Sequence, residues 1–116
     1  MLGTLLLGSC AAPPPGGTAI DYRSADNDPA LCRGRGGTIE PRGMVASPMC
    51  VIRYADGGKT CSGKRDCQGA CSVEYRGVQM PLGSAAAGQC QSENSNFGCL
   101  ARVENGRIAS AFLCTD

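Results

Sequence analysis

The sequence predicts a small disulfide-rich, β-rich domain of short antiparallel strands, hairpins and long loops, with little or no helix outside an N-terminal signal segment. Three observations carry that prediction. The chain has 116 residues, room for one domain, and includes 9 Cys against 3 Tyr, 2 Phe and no Trp. It also holds 17 Gly and 7 Pro, which cut it into short segments. Finally, its clearest periodic stretches alternate polar and apolar residues around turn dipeptides. The absence of histidine closes Ser-His-Asp and Cys-His catalysis, imidazole metal ligation and an imidazole pH switch.

At the N-terminus, Met1 to Gly8 is an apolar run, followed by Ser9-Cys10 and the low-complexity stretch Ala11-Ala12-Pro13-Pro14-Pro15-Gly16-Gly17. The run is too short for a membrane span, which needs about 20 apolar residues, and suits the end of a signal peptide. Leu7-Gly8-Ser9-Cys10 resembles a bacterial lipobox. That resemblance implies cleavage before Cys10, lipidation of its thiol with palmitate-type acyl chains, and a membrane anchor. Ala11 is not the acidic residue that retains lipoproteins at the inner membrane, so the same resemblance implies outer-membrane sorting, facing the periplasm or the surface. A secretory n-region carries Lys or Arg, whereas nothing basic precedes Arg23, so residues 1–9 are expected to be an incomplete signal peptide.

Residues 10–30 lack apolar periodicity and contain four prolines, and are expected to form the lipidated cysteine and a disordered tether. Asp26-Asn27-Asp28 hints at a calcium loop, but the glycine and further oxygen ligands are missing and Pro29 interrupts it. The folded domain is therefore expected over 31–116.

Setting Cys10 aside leaves Cys32, Cys50, Cys61, Cys67, Cys71, Cys90, Cys99 and Cys114, an even set expected to form four intrachain disulfides. The physical need is plain. Ordering about 85 residues costs roughly 1 to 2 kcal/mol each in backbone entropy, and few large apolar side chains oppose it. Each bridge contributes about 2 to 4 kcal/mol and fits an oxidising compartment. Cys61-x₅-Cys67-x₃-Cys71 also clusters three thiols, but structural zinc sites favour paired knuckles of shorter spacing, so no metal is expected. No Cys-x-x-Cys redox motif occurs. The pairing stays open, because eight cysteines allow on the order of 100 connectivities.

Along the domain, Met49 to Tyr54 is a β-branched and aromatic run ended by the turn Asp56-Gly57-Gly58. Ser72 to Met80 alternates, with Val73 and Tyr75 on one face and Glu74 and Arg76 on the other, until Gly77 suggests a bulge. Ser84 to Ala87 is compatible with helix but too short to be more than a turn. The strongest signal is Cys99 to Cys114, where Asn105-Gly106 sits between alternating segments and predicts a two-residue hairpin turn. In that register Val103 faces Ile108, and Glu104 faces Arg107 in an expected ion pair.

For chemistry, residues 31–116 carry ten Lys plus Arg against seven Asp plus Glu, too small a surplus to make nucleic acid the expected partner. Arg33-Gly34-Arg35-Gly36-Gly37 has no aromatic stacking partner beside it and reads as a glycine-rich loop. Glu40, Glu74, Glu93 and Glu104 offer carboxylates, yet no spacing selects an acid/base pair. Tyr54, Tyr75, Phe97 and Phe112 lie close to cysteines and are expected to pack on bridges, with Phe97 the candidate for exposure among turn residues. Lys64 and Arg65 lie between Cys61 and Cys67, where a disulfide-locked extended loop would offer a basic residue to a trypsin-like pocket.

The run Pro48-Met49-Cys50-Val51, Tyr54 to Lys59, Cys61, Asp66-Cys67, Gly69 and Cys71, then Gly88, Cys90, Asn96 to Cys99, Val103 to Gly106 and Cys114, resembles small cysteine-rich lipoproteins and secreted proteins of proteobacteria with no assigned function. The resemblance implies compartment and disulfides and no activity. The expectation is a non-enzymatic, lipid-anchored envelope protein without cofactor, serving as a binding or structural module, with a protease or hydrolase inhibitor as the alternative.

Overall fold

The computed structural model describes residues 24–116 together with Gly3 and Gly8. Cys10 and, apart from Gly3 and Gly8, the residues expected to form the signal peptide and the tether up to Arg23 lie outside the described residues. Among those described, no helix is long and apolar enough to cross a membrane.

Order begins earlier than residue 31. Asp28 is the N-cap of a short helix, α1 (Pro29–Gly34), its carboxylate accepting from the amides of Ala30 and Leu31 at 3.0 and 3.3 Å. Proline is favoured at the first helical position, where its missing N–H leaves no bond unmade. Asp26 accepts from the Cys50 amide at 2.8 Å, and Ala25 is buried beside Cys32 and Cys50. The polar triplet that hinted at calcium is thus a cap and a backbone anchor, and residues 24–30 belong to the domain rather than to a tether.

After α1 the chain forms a hairpin, β1 (Thr38–Arg42) antiparallel to β2 (Ser47–Val51), in which Pro41 lies opposite Pro48. Prolines are tolerated there because a two-stranded ribbon has only edge strands. The Cys32–Cys50 bridge fastens α1 to this ribbon. Gly37 lets the chain pass close over it, since a Cβ there would come within 2.8 Å of both the Cys50 sulfur and the Val51 carbonyl. The Arg33–Gly37 run is therefore a helix end and a bridge crossing.

The second sheet contains β3 (Thr60–Cys61), β4 (Cys71–Glu74), β5 (Gly88–Cys90), β6 (Gly98–Glu104), β7 (Arg107–Ile108) and β8 (Leu113–Thr115). The order is β3-β5-β4-β6, with β7 and β8 both pairing β6. Asn105 and Gly106 have φ of 52° and 68°, and Val103 pairs with Ile108 as expected from the hairpin turn. The expected Glu104–Arg107 ion pair is not made. Glu104 instead accepts from the Lys64 amide at 3.0 Å, and Arg107 donates to the Gly83 carbonyl at 2.9 Å. Each finds a fixed backbone partner from a distant segment, which the local register does not reveal.

Four disulfides close the fold: Cys32–Cys50, Cys61–Cys71, Cys67–Cys90 and Cys99–Cys114. The main core lies on one face of the larger sheet and consists of Cys61, Cys71, Cys90, Ala101, Val103 and Ile108, flanked by Val73, Met80 and Phe112. Sulfur thus supplies much of the buried surface that a larger domain would take from Leu and Phe. Tyr75 meets Phe112 edge to face with ring centroids 5.3 Å apart. Phe97 is 37% exposed and rests against the backbone at Gly43.

The ribbon is tied to the sheet through Asn94, which accepts from the Ile52 amide at 2.8 Å and donates to the Cys50 carbonyl at 2.9 Å. Arg42 adds charged bonds to Glu93 at 3.0 and 3.1 Å. The segment after β5 is thereby held against the ribbon.

Candidate functional site: an open groove on the polar sheet face

Strand alternation places Val73, Ala101 and the paired Cys71 and Cys90 toward the core, and sends the residues between them to the opposite face. Ser72, Glu74, Gln89 and Leu100 form the floor of an open groove of about 620 Å³ there. This lies within the roughly 300–1,000 Å³ of small-molecule sites. Its walls include Arg76, Val78 and Met80 on one side and Ser92, Glu93, Ser95 and Phe97 on the other.

The second wall is fastened by Gln91. Its carboxamide oxygen accepts from the Ala70 amide, and its nitrogen donates to the Ser95 carbonyl, both at 3.0 Å. Glu93 belongs to a cluster of four charges. Arg42 bonds Glu93 and reaches Glu40 at 3.4 Å, while Arg53 bonds Glu40 at 2.7 and 3.0 Å. The Arg53 guanidinium, helped by the Thr38 hydroxyl, holds Glu40 down to about 2. That is the reverse of the raised pKa that a general acid needs. Of the other candidate carboxylates, Glu74 lies 3.6 Å from Arg76 at the groove, and Glu104 serves the Lys64 amide.

Lys64 and Arg65 occupy a single 3₁₀ turn, Lys64–Asp66, rather than extended backbone. Asp66 accepts from the Ser62 amide and hydroxyl at 2.9 and 3.0 Å, which keeps its carboxyl below the usual range and tightens the turn. The Lys64 ammonium donates to the Gly69 carbonyl at 3.4 Å, and Arg65 is exposed. A turn of this kind does not present the outstretched main chain through which a basic side chain enters a protease pocket.

The sulfurs of Cys61, Cys67 and Cys90 lie within 4.8 Å of one another, as a soft metal would require. Each is already bonded, to Cys71 in the first case and within Cys67–Cys90 in the other two. Two stacked bridges account for the cluster, and no thiolate is left there to coordinate an ion.

The groove was not legible in the sequence, because Ser72, Gln89 and Leu100 come together only through the β5-β4-β6 strand order. The alternation from Ser72 to Glu74 was its one local trace. No protein-family model, no curated protein and no solved structure matches this chain.

Proposed function

We propose that this protein is a non-enzymatic, lipid-anchored binding module of the bacterial cell envelope, displaying the groove between β4, β5 and the Ser92–Phe97 segment. The observation that carries the reading is the disulfide pairing. The eight cysteines after Cys10 pair among themselves, which suits an oxidising compartment and leaves the ninth for lipid chemistry. A lipid on Cys10, each buried CH₂ contributing about 0.8 kcal/mol, would hold the domain at a membrane through the proline-rich segment.

The groove supports binding as the role. The Cys71 and Cys90 ends of two bridges lie under its floor, and Gln91 and Arg42 fix one wall, so those two sides have little ordering entropy left to lose when a ligand enters.

The test is fractionation of cells expressing the chain, or its Cys10→Ser variant, behind an added basic n-region that completes the signal peptide, followed by carbonate washing. The parent chain should stay with the membranes and the variant should leave them. Retention of the variant would overturn the anchored reading. The alternative, a hydrolase inhibitor acting through Lys64 and Arg65, requires the Lys64–Asp66 turn between the two bridges to open into extended backbone. It predicts that the pure protein lowers the activity of a trypsin-like protease or of lysozyme, and unchanged activity across such a panel removes it.

A further inference from the structure

Resting on the groove as the binding surface, we infer that its ligand is an uncharged, polyhydroxylated ring, a neutral glycan chain. The first reason is electrostatic. Glu93 is taken by Arg42, and Glu74 is paired with Arg76, so the groove has no uncompensated charge to recognise a phosphate, carboxylate or ammonium group.

The second reason is the kind of polar group present. Gln89, Ser72, Ser92 and Ser95 carry carboxamide and hydroxyl groups, which both donate and accept. A sugar hydroxyl does the same, so one side chain can serve two neighbouring hydroxyls. A purely aliphatic ligand would strip water from these groups and return no hydrogen bonds, leaving each of them unpaired.

The third reason is the apolar strip beside them. Leu100 in the floor and Phe97 in the wall add apolar lining that the C–H face of a sugar ring can cover.

The test is an amide NMR titration of the oxidised full chain carrying Cys10→Ser, with triacetylchitotriose and cellotriose in parallel and a neutral tripeptide as comparator. A glycan ligand should shift the amides of Ser72, Gln89, Ser92 and Ser95, and Gln89→Ala should weaken binding by about fivefold, the effect of one or two hydrogen bonds. Leu100→Ser should weaken it as well while leaving the four bridges formed by mass. Shifts in the groove with the tripeptide but neither sugar would overturn the glycan and leave the groove standing. Shifts elsewhere, or none with any probe at about ten times a millimolar dissociation constant, would overturn both.

Discussion

Replacing Cys67 and Cys90 together by alanine removes the bridge that ties the Lys64–Asp66 turn to β5 across a sequence separation of 23. Closing a loop of that length in the unfolded chain corresponds to about 3.4 kcal/mol in the chain-entropy description. In a domain of this size each kcal/mol moves the midpoint by roughly 4 to 8 °C, so the variant should melt roughly 15 to 25 °C below the parent. Cys99 and Cys114 close a comparable separation of 15 but lie at the surface, Cys114 being exposed. Their double alanine variant should lose about 3 kcal/mol by the same entropy, with little packing lost. Thermal and urea unfolding of the oxidised soluble chains, followed by circular dichroism, measures both. A loss under about 1 kcal/mol for the exposed bridge beside a large one for the buried bridge would show that sulfur packing, not loop closure, dominates.

Other consequences are equally open to measurement. Gly88→Ala places a Cβ 2.7 Å from the Cys71 sulfur and 3.1 Å from the Ser72 carbonyl, and should cost about 1 to 3 kcal/mol in urea unfolding; an unchanged midpoint would refute that packing. Glu40 is held at about 2 against an ordinary 4.5, so the stability it adds is complete above pH 4.5 and is lost as the pH falls toward 2. The stability difference between the parent and Glu40→Gln should therefore shrink across that window, and a constant difference would contradict the Arg53 contact. Limited reduction with a dithiol followed by alkylation should label Cys99 and Cys114 first, because the other three bridges each bury both cysteines or all but one. Earlier labelling of Cys32 and Cys50 would contradict that ranking.

The parts of the fold that were legible in the sequence are those set by local chemistry. Asn105-Gly106 fixes both a turn and a register, so the β6–β7 pairing of Val103 with Ile108 follows from neighbours alone. The same logic failed for Glu104, whose partner is an amide 40 positions away. Helix α1 left a signal, Asp28 before Pro29, but six residues give no periodicity with which to confirm it. The β1–β2 ribbon was hidden by Pro41 and Pro48, which argue against a central strand and are harmless in a ribbon that has none. Cysteine pairing and the groove are both products of topology. Cys67 meets Cys90, and Gln89 meets Ser72, only because β5 inserts between β3 and β4.

The eight paired cysteines and the ninth, Cys10, make a joint statement about mass. The most direct test is the intact mass of the protein extracted from membranes of a bacterium that expresses it behind an added basic n-region. The expected species begins at Cys10, carries acyl chains on that residue and lacks eight hydrogens relative to its reduced form. An unacylated chain beginning at Met1, or one with free thiols among the eight, would contradict it.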